Sequence, residues 1–191
     1  MRASVAAGLF LALAMAAAGV RQKAEFDYVP GPQLPPPDHW PAVTSIARPA
    51  GPMLLVFVHP DCECTAATLH ELARVLANSS VRPPIRIVVS GRLPNAHSDW
   101  RERFSLPSYA LIRDESGAEA ARFGALTSGT VFLFSAEGTR LFSGGITPFR
   151  GHEGPSRGQV ALRTSLNSGV IARGRMPVFG CALFSLKGNR Q

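Results

Sequence analysis

The sequence predicts one α/β domain with a central mixed sheet flanked by helices, preceded by an N-terminal signal or anchor segment. Three observations carry this expectation. The unbroken apolar run Met53-Leu54-Leu55-Val56-Phe57-Val58 suits a central strand covered on both faces. A helical repeat of Leu69, Leu72, Ala73 and Leu76 follows it, and then a second apolar run, Ile85-Arg86-Ile87-Val88-Val89, so the simplest arrangement is a parallel β-α-β unit. Further on, Val131-Phe132-Leu133-Phe134 and Thr139-Arg140-Leu141-Phe142-Ser143 flank Glu137-Gly138, an acidic-Gly pair of the kind that closes a two-residue hairpin turn.

The chain has 191 residues, 46% hydrophobic and 17% charged, which is enough apolar material for one core with appendages. Its formal charge of +7 is spread along the sequence and nowhere forms a basic stripe with interleaved aromatics, so nucleic acid is not expected as a partner.

Residues 1–20 read as a targeting segment. Met1-Arg2 supplies a positive start, residues 3–20 are uncharged and apolar, and the run ends in the small residues Ala16-Ala17-Ala18-Gly19. The small-residue end suits a cleaved signal peptide, and the apolar length just suffices for a membrane anchor. Either way the domain is expected in the periplasm or on the outer face of the cytoplasmic membrane, bound to the membrane through this segment if it is uncleaved. Residues 21–50 are a Pro-rich linker: Pro30, Pro32, Pro35, Pro36, Pro37 and Pro41 exclude helix there. Phe26, Tyr28 and Trp40 suggest that parts of it lie on the domain.

The domain itself is expected over residues 51–170, with a tail at 171–191. Beyond the strands already named, it should hold a helix at 99–104, a short strand at 109–112, a short helix at 117–123 and a closing helix at 155–168. No internal repeat is present.

The chemistry centres on His59-Pro60-Asp61-Cys62-Glu63-Cys64, between the first strand and the first domain helix. Asp61 is a suitable N-cap, which puts both cysteines in the first turn. A thiol there faces unpaired backbone N–H groups and the positive end of the helix dipole, so its thiolate is favoured and it attacks disulfides. A second thiol two positions on can resolve the mixed disulfide. Cys62 is the expected attacker, since the first turn exposes its leading residue more, and Cys64 the resolver. The small ring that an i to i+2 bridge closes is strained, which favours an oxidant or isomerase over a strong reductant. Soft-metal ligation is the rival reading, because closely spaced thiolates aided by an imidazole suit Cu(I) or Zn(II).

Residues 54–76 resemble the active-site unit of the thioredoxin-like superfamily, and Phe123-Gly124-Ala125 resembles the entry to the substrate-binding loop of those proteins. The motifs His59-Pro60-x-Cys62-x-Cys64, Thr127-Ser128-Gly129, Ser143-Gly144-Gly145-Ile146-Thr147, Arg150-Gly151-His152-Glu153-Gly154 and Pro177-Val178-Phe179-Gly180-Cys181 resemble, more narrowly, a group of bacterial envelope proteins of that superfamily. The resemblance implies a thioredoxin-like fold and thiol-disulfide exchange with protein thiols or disulfides of the envelope, by an oxidoreductase or isomerase that needs no cofactor. Two departures stand out. One residue separates the cysteines where thioredoxins have two, and Thr127-Ser128-Gly129-Thr130 stands where they place a cis-proline facing the thiols. Proline there keeps metals away in some relatives, so its replacement by Gly129 strengthens the alternative, a copper-binding or copper-delivery protein using Cys62, Cys64 and His152 with Cys181 as a further ligand.

His152 lies in a glycine-flanked loop 88 positions after Cys64, a separation that resembles Sco-type copper proteins, although their cysteines are more widely spaced. An exposed loop histidine is the plain alternative. Cys181, the third cysteine, is open to three roles: a metal ligand, a partner for Cys62, or a packed apolar residue beside Val178 and Phe179. The glycines at 144–158 do not fit a phosphate-binding or dinucleotide spacing, and no Ser-His-Asp or paired-carboxylate arrangement stands out.

Overall fold

A computed structural model describes residues 2–91, 104–107 and 109–184. The helix expected at 99–104 lies outside them except for Phe104. Strand β1 (Met53–Val58) leads into helix α2 (Glu63–Ala77), which returns the chain to β2 (Ile85–Ser90), parallel to β1 with Leu54 opposite Ile85 and Val58 opposite Val89. Strand β3 (Tyr109–Asp114) adds in parallel to β2. Helix α3 (Ala118–Phe123) follows, and then β4 (Thr130–Phe134) and β5 (Arg140–Gly144) form an antiparallel hairpin before the closing helix α4 (Arg157–Ser168). Because β4 runs antiparallel to β1, the sheet is mixed, in the order β3-β2-β1-β4-β5. The β-α-β unit, hairpin and closing helix together make a thioredoxin-like fold.

Every side chain of β1 is buried, as a strand with two covered faces requires, and alternate residues serve different layers. Leu54, Val56 and Val58 pack with Leu69, Leu72, Leu76, Leu162 and Leu166 beneath α2 and α4. Leu55 and Phe57 face the other way, into an aromatic layer with Phe123, Phe132 and Phe134. Burial of each such side chain contributes about 1.5–3 kcal/mol. The N-terminal end of α2 is thereby fixed over the carboxyl end of β1.

The hairpin turn is longer than its sequence suggests. Gly138 N–H donates to Ser135 O (3.0 Å) and Ser135 N–H to Thr139 O (2.8 Å), so three residues, 136–138, form the loop. Gly138 takes the left-handed φ of 86° that such a loop needs at its last position.

Helix α1 (Arg2–Tyr28) continues past the expected end of the targeting segment and stops where Val29 precedes Pro30, a position biased away from helix. Leu9, Phe10, Leu11, Leu13, Met15 and Val20 are all exposed along it. Among the described residues, no helix is long and apolar enough to cross a membrane. Residues 29–52 follow the domain closely as an irregular strap. Gly31 N–H donates to Val178 O (2.8 Å), Trp40 N–H to Gly138 O (2.7 Å) and Arg140 N–H to Asp38 O (2.8 Å). The Trp40 ring sits edge-on to Phe123 and Phe134 at 5.4 and 5.1 Å, and Ser45 N–H donates to the buried Glu119 carboxylate (3.0 Å). The strap covers only the start of the open edge of β5, at Arg140; Ala172 and Met176 cover the rest, with N–H bonds to Leu141 O (2.7 Å) and Ser143 O (3.1 Å).

Helix α4 approaches the segment after β5 so closely that a Cβ on Gly158 would lie 1.9 Å from Gly145 O. Gly158→Ala is therefore expected to lower stability by about 1–3 kcal/mol, seen as a lower urea midpoint with an unchanged slope.

Candidate active site

The junction between β1 and α2 is held by a tight turn. Cys62 N–H donates to His59 O (3.2 Å), and Thr65 N–H to Cys62 O (2.9 Å). This turn moves the helix start one residue later than expected. Cys62, in extended conformation (φ −100°, ψ 125°), occupies the N-cap in place of Asp61, whose N–H instead meets the His59 ring at Nδ1 (3.3 Å). Cys64 falls at the second helical position.

The loop 127–130 is fastened to the same turn. His59 N–H donates to Ser128 Oγ (3.0 Å), and Thr65 Oγ1 donates to His59 O (2.6 Å) while lying 3.2 Å from Ser128 Oγ. Gly129 N–H donates to Phe57 O (2.8 Å). Ser128 and Thr65 thus act as a positioning pair, which the sequence alone does not reveal: Ser128 lies in the Thr127-Ser128-Gly129 motif, but its bond to His59 joins segments 69 positions apart.

Both thiols of the motif are buried, which corrects the expectation that the first turn exposes Cys62: the two residues are 5% and 1% exposed. Two segments distant in sequence cover them. The loop 150–154 lies over Cys64, with the Gly151 N–H pointing at its sulfur. A C-terminal strap brings Cys181 to Cys62, where the two sulfurs are 2.9 Å apart and all three cysteines are free thiols. Cys181 itself is half-buried, with its sulfur beside that of Cys62. A cleft of about 250 Å³, lined by Pro60, Asp61, Cys62, Glu63 and Phe104 among others, reaches Cys62 from outside.

The thiols are electrostatically unequal. A hydrogen bond from the Cys64 thiol, opposed by burial and reinforced by a hydrogen bond from the Cys181 thiol, pulls the pKa of Cys62 down to about 4. The hydrogen bond to Cys62 and burial push Cys64 up, keeping it protonated. Burial, together with the hydrogen bond to Cys62, raises Cys181 to about 11, against the lowering effect of the Arg150 charge. One thiolate between two thiol donors is the resulting arrangement.

His152 is exposed, its Nδ1 2.7 Å from Arg150 O. Among the described residues, no three His, Cys, Asp or Glu side chains are placed to hold one metal ion. The loop carrying His152 is nevertheless anchored by a buried acid that the sequence does not single out: Glu71, on α2, accepts from Gly154 N–H (2.7 Å) and from Gln159, and pairs with Arg74.

No protein-family model and no curated protein matches the sequence. Among solved structures, an uncharacterized conserved protein from Geobacillus kaustophilus is similar at TM-score 0.57 and 15% identity, over 85% of this chain and 95% of that one. A hypothetical protein from Sinorhizobium meliloti is similar at TM-score 0.52 and 17% identity, over 73% and 82%. A secreted disulfide oxidoreductase from Mycobacterium tuberculosis aligns at TM-score 0.45 and 18% identity, over 62% and 82%. The first two share the fold.

An ordinary thiol, near pH 9, holds its proton where folded Cys62, near pH 4, has lost it. Between those values the unfolded chain binds more protons, so this group adds stability as pH rises through the window and loses it as pH falls toward 4. Thiolate absorbance is expected to persist to about that pH. In Cys64→Ala, which removes a donor to the thiolate, the midpoint should rise by about 1–2 pH units. An unmoved midpoint would assign the low value to another cause.

Proposed function

We propose that this chain carries out thiol-disulfide exchange in the bacterial envelope, through the dithiol centre of Cys62 and Cys64. The single observation that carries the proposal is the Cys62 sulfur at the N-terminus of α2, held ionised at neutral pH by neighbouring thiols. A thiolate is the attacking species in disulfide exchange, and a low pKa also makes it a good leaving group, so the mixed disulfide forms and breaks readily. Cys64, two positions further on, supplies the hydrogen bond that keeps the charge on Cys62. The cleft beside Pro60 and Asp61 offers a substrate sulfur a route to the nucleophile. Such a site suits protein thiols and disulfides as substrates and needs no cofactor.

Two features support the envelope. Disulfide chemistry persists in oxidising compartments, and residues 3–20 are uncharged and apolar behind Arg2. In the folded protein that helix is exposed, with Phe10 at 76%, so its apolar surface serves no core. Export or anchoring accounts for it. A variant lacking residues 3–20 should remain in the cytoplasmic fraction while the full chain reaches the envelope fraction.

Exchange is tested on a model protein disulfide with glutathione as reductant. Cys62→Ser is expected to reduce turnover to the buffer background, whereas His152→Ala retains it, because the imidazole lies on the surface. Copper binding through Cys62, Cys64 and His152 predicts the converse: near-stoichiometric Cu(I) in the reduced protein, lost on substitution of either Cys62 or His152. Full exchange activity in Cys62→Ser would overturn the proposal.

A further inference from the structure

Resting on the exchange reading, we infer that Cys181, and not Cys64, is the thiol that resolves a mixed disulfide on Cys62. Cys181 is placed by the backbone of its strap. Ser128 N–H donates to Cys181 O (2.8 Å), Leu183 N–H donates to Leu126 O (2.9 Å), and Arg150 donates to Gly180 O through its guanidinium. These bonds run to either side of Cys181 and set its sulfur 2.9 Å from that of Cys62, close enough that a small side-chain movement completes a bond of about 2.05 Å. Burial and the Cys62 thiolate keep Cys181 protonated against the charge of Arg150, so it becomes the attacking thiolate only by giving up its proton in the first step.

Cys64 is differently constrained. It lies within α2, 1% exposed and covered by the 150–154 loop. Cys62 and Cys64 are only two positions apart, so a bond between them closes a small ring that strains the first turn, whereas a bond to Cys181 leaves α2 intact. The role of Cys64 is to donate a hydrogen bond to the Cys62 thiolate.

The cleft reaches Cys62 past Pro60, Asp61 and Glu63, and neither Cys64 nor Cys181 belongs to its described lining. A substrate disulfide R–S–S–R′ entering there is attacked by the Cys62 thiolate. The Cys62–S–S–R bond forms, the S–S bond of the substrate breaks, and R′S⁻ leaves and takes the proton of Cys181. The Cys181 thiolate then attacks the Cys62 sulfur, forming the Cys62–Cys181 disulfide and expelling RS⁻, which takes a proton from water. Two electrons pass from the protein dithiol to the substrate, and the same steps in reverse oxidise a substrate dithiol.

The test uses the full-length reduced protein equilibrated with glutathione disulfide, alkylated, digested with trypsin without reduction and analysed by mass spectrometry. Cys62 and Cys64 share one tryptic peptide and Cys181 lies on another, so the two possible bonds give different products. The expected product is the two peptides joined, with Cys64 alkylated, and the same joined product in Cys64→Ser. In Cys181→Ser, glutathione should remain on Cys62 and its release should slow about 100-fold or more, the loss of a positioned intramolecular thiol. A bond between Cys62 and Cys64 in the unaltered protein overturns the inference while leaving exchange at Cys62 intact. Absence of both internal bonds and of any glutathione adduct on Cys62 overturns the exchange reading, and this inference with it.

Discussion

The site depends on a close approach of main chain to main chain. The C-terminal strap lies directly against β5 and the loop before β4, with no side chain between them. A Cβ on Gly144 would lie 2.3 Å from Met176 O, one on Gly145 2.5 Å from Pro177 O, and one on Gly180 2.0 Å from Ser128 O. Only glycine leaves room for that contact. Through it Met176 N–H reaches Ser143 O (3.1 Å) and Ser128 N–H reaches Cys181 O, so the strap is held by backbone hydrogen bonds and carries Cys181 to a fixed place. The proximity of Cys181 to Cys62 follows from this packing.

Around that contact the fold divides its labour. The buried β1 strand and the leucines of α2 fix the helix start, and the Ser128–His59–Thr65 hydrogen bonds join the turn to the loop that receives the strap. On the opposite side, Glu71 holds the 150–154 loop over Cys64. The N-terminal region reaches the same area. Arg150 N–H donates to Asp27 O (3.1 Å), its guanidinium lies 4.5 Å from the centre of the Phe26 ring, and Tyr28 packs on Phe149 at 4.4 Å. The end of α1, the 149–152 turn and the C-terminal strap therefore form one continuous cover beside the thiols. Under such a cover the Cys62 sulfur is reached only through the adjoining cleft, which separates this site from one whose leading cysteine stands in open solvent.

Much of the fold was legible in local pattern. The apolar run of β1, the leucine spacing of α2 and the acidic-Gly turn of the hairpin are each produced by residues close in sequence. Placement of the cysteines at the strand-to-helix junction followed from the same pattern. Where the expectation slipped, a competing local force explains it: the His59–Cys62 turn took the cap from Asp61, and Ala136 joined Glu137-Gly138 in a longer hairpin loop.

What the sequence by itself determined is the order of elements, the two-sided burial of β1 and the presence of a thiol at a helix start, because periodicity and capping are short-range. The tertiary structure alone decided that both thiols are covered, and that Cys181 lies against Cys62 while His152 stays on the surface. Those outcomes depend on contacts spanning about a hundred positions, such as the 119 that separate Cys62 from Cys181, and on desolvation, which no local motif records. The glycine motifs at 144–145 and 180 carried the signal, but as empty space, whose meaning appears only once the second backbone is in place.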